Sequence, residues 1–291
     1  MDLARIFEPV RKDMEAVDVE LLALMRKVGE QALARRRGLG ILDRIVQHPF
    51  TVPGKRIRPA LVLLSAGAAR AAGSATAGPE HGSLISLAAA VEVLHAASLV
   101  HDDIIDDADS RRHQVSLNRR FGNRVAVLAG DILYTHFFSL ITGLRGIEPE
   151  KRFRLLDVFL DTTKAMCMGE ILAQEAAAAG RPYTFDEYVE VSTDKTAVLF
   201  SACCRTAGIL CDLDQAQVDC LADFGLHFGL AFQMADDLVD KDHHLDPRVD
   251  LKAATLQYAE QARGGIGWLP QGLHRDSLRD LVEYVIASAI P

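Results

Sequence analysis

The chain has 291 residues, of which 49% are hydrophobic and 6% aromatic, and its formal net charge is −8. This composition is sufficient for a sizeable buried core, and the low aromatic content favours helices over a β-rich fold. The acidic balance argues against a general nucleic-acid binder, which normally presents a basic face. The five cysteines form no CxxC pair and no zinc-type Cys/His spacing, so we interpret them as small buried residues of a reduced, intracellular protein.

Apolar residues recur at spacings of three and four along almost the whole chain, and this period predicts helices. A stretch rich in Gly, Ala, Ser and Pro at residues 73–82 predicts a loop, and the sequence has no alternating β pattern and no long internal repeat. The sequence therefore predicts one all-α domain over residues 1–291. The predicted helices cover residues 3–35, 59–72, 84–107, 124–144, 151–179, 185–210, 214–240, 251–262 and 275–289.

The apolar stretch at residues 83–100 is the strongest candidate for a membrane span, but it contains Glu92 and His95. Charged and ionisable groups are rare in membrane spans, so we interpret this stretch as a buried core helix. The N-terminus carries acids and no apolar run, so we expect no signal peptide. These features predict a cytoplasmic protein without a transmembrane segment.

Acidic residues end the predicted helix 84–107. Asp102 and Asp106 are one helical turn apart and share a face, with Asp103 beside them. Two carboxylates in register repel each other unless a cation lies between them. Mg²⁺ prefers oxygen ligands and typically takes one or two protein carboxylates together with substrate phosphates and water. The run is therefore a candidate metal site, and a solvated helix end is the alternative interpretation.

The same Asp-Asp-x-x-Asp spacing recurs at the end of another apolar helix, as Asp236, Asp237 and Asp240. Two such clusters can face one another across a helical bundle, where they can hold several Mg²⁺ ions around a diphosphate. The repetition favours the metal-site interpretation of both clusters.

A metal–diphosphate site also requires fixed positive charges. Arginine grips phosphate oxygens in a fork, and lysine supplies a point charge. Each basic group alone is typical of a solvated surface, but their combination with two acidic clusters indicates an anion site. The candidates are Lys55, Arg56, Arg58, Arg111, Arg112 and Lys195.

These motifs, in this order, resemble those of the trans-isoprenyl diphosphate synthase (polyprenyl synthetase) family. The resemblance runs over about residues 53–240. It implies a single-domain, all-α bundle around a deep central cavity, and a homodimer. It rests on residues 54–59 (GKRIRP), residues 92–103 (EVLHAASLVHDD), Arg111-Arg112, Gly130-Asp131, Gly169-Glu170, Lys195-Thr196-Ala197 and Phe232-Gln233 with the second acidic cluster.

The resemblance implies a Mg²⁺-dependent enzyme that joins an allylic diphosphate to isopentenyl diphosphate, with roughly three Mg²⁺ ions per site. The ions and cations stabilise the leaving diphosphate, and the π bond of isopentenyl diphosphate attacks the allylic cation. The implied metal ligands are Asp102, Asp106 and Asp236, and Asp103, Asp237, Asp240 and Lys195 complete the catalytic set. The allylic substrate would contact Arg111, Lys195, Thr196 and Gln233, and isopentenyl diphosphate would contact Lys55, Arg58, His95 and Arg112.

Product length is expected to depend on small residues before the first acidic cluster. Ala97 and Ser98 precede Asp102 by five and four positions, roughly 6–8 Å along a helix. Bulky aromatic residues there stop growth at farnesyl length in the family, so we expect a product of geranylgeranyl length or longer. Leu94 lies deeper and is a candidate floor. Close helix packing is the other explanation for two small residues.

The sequence departs from the family pattern in two places. His113 follows Arg111-Arg112 where the family usually has Gly, so the turn is expected to differ. The chain after Asp240 is shorter than the family pattern and lacks a loop that carries a diphosphate-binding lysine. Lys241 and Lys252 are candidate replacements.

Three other classes are compatible with part of this pattern. A class I terpene cyclase shares the fold and the first acidic cluster, but its second metal motif usually differs. A non-catalytic subunit of a two-component prenyltransferase fits the shortened C-terminal region. A di-iron carboxylate bundle would use Glu92-x-x-His95, but it requires a second such motif, which the sequence lacks.

Overall fold

The structure of the protein is a computed structural model that describes residues 2–34, 40–73, 81–240, 245, 246 and 248–290. In this part of the chain the helices are α1 (Leu3–Ile6), α2 (Arg11–Ala34), α3 (Gly40–Gln47), α4 (Ile57–Ala72), α5 (His81–Ile105), α6 (Leu117–Phe121), α7 (Asn123–Thr142), α8 (Pro149–Ala179), α9 (Phe185–Ser192), α10 (Val198–Leu210), α11 (Gln215–Asp240), α12 (Leu251–Gly265) and α13 (Leu273–Ala289). The prediction of an all-α fold is confirmed for these residues.

Several features of the chain were not predicted by the helical pattern. Helices α3 and α6 lie in segments for which no helix is predicted, and the predicted helix 3–35 is divided into α1 and α2. The predicted helix 185–210 is interrupted by a π-helical turn, Thr193–Ala197, between α9 and α10. The strands β1 (Ser110–Arg111) and β2 (Gln114–Val115) form an antiparallel hairpin, which is too short to show a period-two pattern.

Capping residues and a C-terminal glycine determine where several helices near the candidate active site begin and end. A capping box starts α9, because the Thr184 hydroxyl accepts from the backbone of Glu187 and the Glu187 side chain accepts from the backbone of Thr184. Asp250 caps α12 by accepting from the backbone of Ala253. Helix α8 begins at Pro149 and ends before Gly180, which has the left-handed φ of 63° favoured at that position.

The described residues form two compact units. One draws on residues 12–60 and 80–146, and we call it the α5 unit. Helix α5 is apolar on all sides and packs on α7, which turns a stripe of small and apolar residues toward it. The stripe consists of Ala126, Ala129, Gly130, Leu133, Phe137 and Ile141.

The other unit draws on residues 1–11, 61–79 and 147–291, and we call it the α11 unit. Helix α11 packs on α10, on α12 and on α13. The approach of α10 is close, since a Cβ on Gly225 would lie 2.5 Å from the carbonyl oxygen of Phe200. The rings of Phe200 and Phe228 meet edge to face with centroids 5.4 Å apart, and they fill the contact beside that glycine.

Two helices, α5 and α7, are long and apolar enough to cross a membrane by length and composition alone. In α5, 78% of the most apolar 18-residue window is buried inside the protein, as expected for a core helix. In α7 the corresponding share is 33%. The expectation that the cysteines are small buried residues holds for Cys203, Cys204 and Cys211, but it is wrong for Cys167, which is exposed.

Candidate active site

The first acidic cluster lies at the C-terminal end of α5. The backbone N–H of Asp106 still donates to the carbonyl of Asp102, at 2.8 Å, so the one-turn relationship between these carboxylates is kept. Asp107 follows with a left-handed φ of 50°, and Ala108 donates back to the carbonyl of Asp103 at 2.9 Å. This Schellman motif ends the helix sharply and leaves Asp106 exposed, with Asp102 half-buried.

Asp103 is buried and has different partners from the other two acids. Its carboxylate accepts from Nε of Arg111 at 2.5 Å, and its backbone carbonyl accepts from the Asn118 amide at 3.0 Å. Burial raises the pKa of Asp103, and the hydrogen bond from Arg111 opposes that rise. Asp103 therefore holds Arg111, a predicted contact of the allylic substrate, against the end of α5.

The hairpin between β1 and β2 replaces the glycine-containing turn of the family pattern. Its two loop residues, Arg112 and His113, have φ values of 52° and 62°. Both are left-handed, as in a type I′ turn, and such positions are usually occupied by Asn or Gly. The departure noted at His113 therefore lies at a left-handed backbone position, which glycine adopts without a steric cost.

An open cleft lies in the α5 unit beside these groups, with about 540 Å³ of empty space that includes part of the surrounding solvent. One face of α5 and the β1–β2 hairpin supply much of its lining. Both polar and apolar residues line it, so the cleft can hold an anion next to a short apolar group. Its lining includes Phe50, Glu92, His95, Leu99, Val100, Asp103, Arg111, Arg112 and Leu117.

His95 is neutral in this cleft. Burial lowers its pKa well below the usual value, and the positive charges of Arg58, Arg112, Arg111 and Arg56 lower it further. Nη1 of Arg58 lies 3.2 Å from Nε2 of His95, which a neutral imidazole can offer as an acceptor. The structure therefore brings together three of the predicted contacts of isopentenyl diphosphate, namely Arg58, His95 and Arg112, and the fourth, Lys55, is exposed.

Sequence reasoning assigned no role to Arg56 beyond a charge. Its guanidinium donates to the buried carboxylate of Glu92 at 2.5 Å and to Asp18 at 3.2 Å. Glu92 in an apolar helix was the available signal, since a buried carboxylate requires a partner. Arg56 binds the Glu92 carboxylate. Glu92 therefore pairs with a cation and does not act with His95 as a metal-binding motif.

The second acidic cluster ends α11 in the other unit. Nε2 of Gln233 donates to Oδ1 of Asp237 at 2.9 Å, and the Thr196 hydroxyl donates to Oε1 of Gln233 at 2.9 Å. The predicted contacts Thr196 and Gln233 are thus brought together with Asp237. Asp236 is half-buried, and Asp240 is exposed.

Lys195 and Thr196 lie on the π-helical turn. Such turns are rare and frequently occur at functional sites, because they re-aim side chains out of the regular helix. Nζ of Lys195 lies 2.6 Å from Oε2 of Glu170 on α8. Helix α8 approaches the turn closely, since a Cβ on Gly169 would lie 2.6 Å from the backbone nitrogen of Lys195. This contact accounts for the Gly169-Glu170 pair.

The predicted length-determining residues differ in their surroundings. Ser98 is half-buried, and with Leu94 it follows the face of α5 that carries Asp102, at spacings of four. Ala97 is completely buried and lies on another face of the helix. Of the two small residues, Ser98 is therefore the one in line with the acidic end.

Leu245, five residues after Asp240, lies in the α11 unit. Leu245 pairs with Tyr183 in an isolated parallel bridge and packs into an apolar cluster at the end of α11. Lys241 lies outside the described residues, and Lys252 is exposed at the start of α12. The roles of both lysines as replacements for the family's loop lysine stay predictions.

Within the described residues no group of three or more His, Cys, Asp or Glu side chains forms a metal site. Each acidic cluster offers two carboxylates one turn apart, Asp102 with Asp106 and Asp236 with Asp240. This donor set fits Mg²⁺, which completes its coordination with phosphate oxygens and water.

Comparison with known proteins defines the class of this fold and site. The decaprenyl diphosphate synthase structure from Rhodobacter capsulatus superposes with a TM-score of 0.81 at 26% identity, covering 100% of both chains. The fold is therefore the all-α fold of isoprenoid diphosphate synthases.

A sequence profile of the polyprenyl synthetase family matches residues 40–246. Octaprenyl diphosphate synthase of Escherichia coli is 32% identical over 240 residues, which are 82% of this chain and 67% of that protein. Decaprenyl-diphosphate synthase of Dictyostelium discoideum is 34% identical, over 76% of this chain and 47% of that protein. The chain belongs to the polyprenyl synthetase family, and it spans about two thirds and about half of these two relatives.

Proposed function

We propose that the chain is a prenyltransferase that joins isopentenyl diphosphate to an allylic diphosphate and yields a trans-polyprenyl diphosphate of geranylgeranyl length or longer. The observation that carries this proposal is the cleft in the α5 unit. There Arg111 and Arg112 line the cleft together with a neutral His95 and apolar residues of α5, and Arg58 contacts His95. A diphosphate with a short apolar tail matches that chemistry.

The same cleft favours chain elongation over cyclisation. A terpene cyclase needs to bind one diphosphate, whereas an elongating enzyme needs a second anion site apart from its metal-binding acids. The basic groups around His95 supply such a site. The second acidic cluster has the Asp-Asp-x-x-Asp spacing, which also differs from the usual second motif of cyclases.

The proposed ligands of Mg²⁺ are Asp102, Asp106 and Asp236, and Asp240, one turn after Asp236, would support the second cluster. When bound, Mg²⁺ would supply positive charge to the oxygens of the leaving diphosphate. Thr196 and Gln233 would orient the allylic diphosphate. The arginines of the cleft would hold isopentenyl diphosphate in place, and the apolar face of α5 would keep water from the allylic cation.

The test uses purified protein with labelled isopentenyl diphosphate and, separately, dimethylallyl, geranyl, farnesyl and geranylgeranyl diphosphates, with and without Mg²⁺. We expect Mg²⁺-dependent elongation that is lost in Asp102→Asn and in Asp236→Asn. Arg248→Ala, which removes an exposed cation paired with Asp246, is the matched surface control. Folded protein that elongates none of the primers would overturn the proposal.

Oligomeric state, location and domain count belong to the same proposal. Val127 and Leu128 of α7 are exposed, and a second copy of the chain is the proposed cover of this face. Light scattering after gel filtration should give a homodimer that Leu128→Glu converts to monomer. We also propose that the protein is cytoplasmic and that residues 1–291 form one domain. Cell fractionation tests the location, and a single calorimetric unfolding transition tests the domain count.

A further inference from the structure

Tyr188 of α9 lies at the border between the second acidic cluster and an apolar cluster. Its ring is buried and packs with Met234, Leu245, Leu251 and Ala254. Helices α9, α11 and α12 and the segment after Asp240 therefore meet at this side chain. The ring is held on several sides, so the position of its hydroxyl is well determined.

The Tyr188 hydroxyl donates to Oδ2 of Asp237 at 2.5 Å. The other oxygen of the same carboxylate accepts from Nε2 of Gln233, and the Gln233 carbonyl accepts from Thr196. Both oxygens of Asp237 are thus engaged by donors of this chain. Four side chains on α9, α11 and the π-helical turn form one continuous hydrogen-bonded series.

Tyr188 keeps its proton throughout the physiological pH range. Burial, the negative charge of Asp237 and the hydrogen bond between them raise its pKa well above the usual value. The hydroxyl is therefore a permanent donor. A hydrogen bond to a charged acceptor in a partly buried place is among the stronger ones in a protein.

The arrangement separates the acids of the second cluster by role. Asp236 and Asp240 are one turn apart, so their carboxylates can converge on one cation. Asp237 is turned toward α9 and fixes the Gln233 amide, which in turn fixes the Thr196 hydroxyl. Loss of the Tyr188 hydroxyl would release Asp237 and with it the orientation of both side chains.

We propose that Tyr188 is a positioning residue that acts through Asp237 to orient Gln233 and Thr196 for the metal-bound diphosphate. This inference rests on the proposed function, because Gln233 and Thr196 are the proposed contacts of the allylic diphosphate. Asp237 is accordingly a positioning residue as well, and the proposed metal ligand of the cluster is Asp236.

The first experiment measures binding of inorganic pyrophosphate in the presence of Mg²⁺ by titration calorimetry, so that it does not depend on elongation. Tyr188→Phe keeps the ring and removes the hydroxyl, and it should weaken binding about tenfold, the order expected when a hydrogen bond to a charged group is lost. Tyr258→Phe is the matched control, since Tyr258 packs against the same apolar cluster and stacks on His227. It should bind as the wild type does.

A second measurement separates positioning from a structural effect. In an Asp237→Ala background, Tyr188→Phe should cause no further weakening, because its partner is already gone. Equal binding by Tyr188→Phe and wild type, or a full tenfold loss in the Asp237→Ala background, would overturn the inference. In elongation assays the KM for the allylic diphosphate should rise, while the KM for isopentenyl diphosphate stays within about twofold.

The outcomes also distinguish this inference from the proposed function. Wild type that binds Mg²⁺–pyrophosphate but elongates nothing would overturn the function and leave the Tyr188 comparison valid. Elongating wild type with an unaffected Tyr188→Phe variant would overturn the inference alone. Wild type that does not bind pyrophosphate with Mg²⁺ would overturn both.

Discussion

Arg56 and Glu92 form an ion pair of 2.5 Å, and Glu92 is only 4% exposed. Arg56 has a left-handed φ of 55°, and Glu92 lies within the apolar helix α5. The pair therefore fastens the segment that carries Lys55 and Arg58 to the helix that carries His95. A strained backbone position is kept because the ion pair and the Asp18 contact stabilise it.

Removing one member of this pair should be costly. Arg56→Ala leaves the Glu92 carboxylate buried without its cation, and the expected loss in the free energy of unfolding is about 3–5 kcal/mol. Urea denaturation measures it. The double variant Arg56→Ala/Glu92→Leu should recover much of the loss, because no uncompensated charge remains. If the double variant were as unstable as Arg56→Ala, the buried charge would not be the cause.

The hairpin turn should gain stability from a glycine. His113 has a φ of 62°, and left-handed backbone costs a residue with a Cβ roughly 1–2 kcal/mol. Glycine removes that cost, but it also gives the unfolded chain more conformational freedom, which offsets part of the gain. His113→Gly should therefore raise the free energy of unfolding by about 0.5 kcal/mol. Thermal and urea denaturation can detect this. His113→Ala keeps the Cβ and should give no gain, and an equal gain in both variants would assign the effect to the imidazole.

Much of the site could be predicted because its spacing is local. Asp102 and Asp106 share a face on any helix, and the same holds for Asp236 and Asp240. Tyr188 could not be predicted, since it is 49 residues from Asp237 and no local pattern joins them. The π-helical turn was missed for another reason. Its apolar neighbours keep the helical period, so the extra residue leaves no trace in the pattern.

The neutral state of His95 predicts a pH dependence of stability. Its pKa is lowered in the folded protein, so the unfolded state binds more protons between the folded pKa and about 6.5. The free energy of unfolding therefore rises with pH through that window. The contribution of His95 is complete above the window and is lost as the pH falls through it.

His95→Gln removes the titrating group and keeps an acceptor for Arg58. The difference in unfolding free energy between wild type and this variant should shrink as the pH is lowered from 8 to 5. Denaturation curves at several pH values measure that difference, and subtraction cancels the other acids and histidines. A difference that does not change with pH would contradict a lowered pKa of His95.

Substitutions at two neighbouring positions of α5 should have different effects, one on product length and the other on stability. Ser98 is half-buried on the face of Asp102, so Ser98→Phe should shorten the product while the protein stays folded. Ala97 is completely buried, and Ala97→Phe should destabilise the protein by about 1–3 kcal/mol through overpacking. Chromatographic sizing of products and thermal denaturation distinguish the two. Ala216→Phe, at an exposed position in the first turn of α11, is the control that should change neither.

The close approach of α8 to the π-helical turn should make Gly169 sensitive to a single methyl group. A Cβ there would lie 2.6 Å from the Lys195 nitrogen and 2.8 Å from Cβ of Asp194, so Gly169→Ala must displace the turn. Because the turn carries Lys195 and Thr196, we expect at least a tenfold loss in kcat/KM for the allylic diphosphate, equivalent to about 1.4 kcal/mol.

Gly264→Ala is the matched control, because a Cβ on Gly264 of α12 would meet no atom within 4 Å. This variant should keep full activity and, as an alanine in a helix, should gain up to about 1 kcal/mol in stability. Steady-state kinetics with varied allylic diphosphate and a thermal denaturation curve for each variant make the comparison. If Gly169→Ala lost stability but kept its kcat/KM, Gly169 would matter for helix packing alone. The positions of Lys195 and Thr196 would then not depend on it.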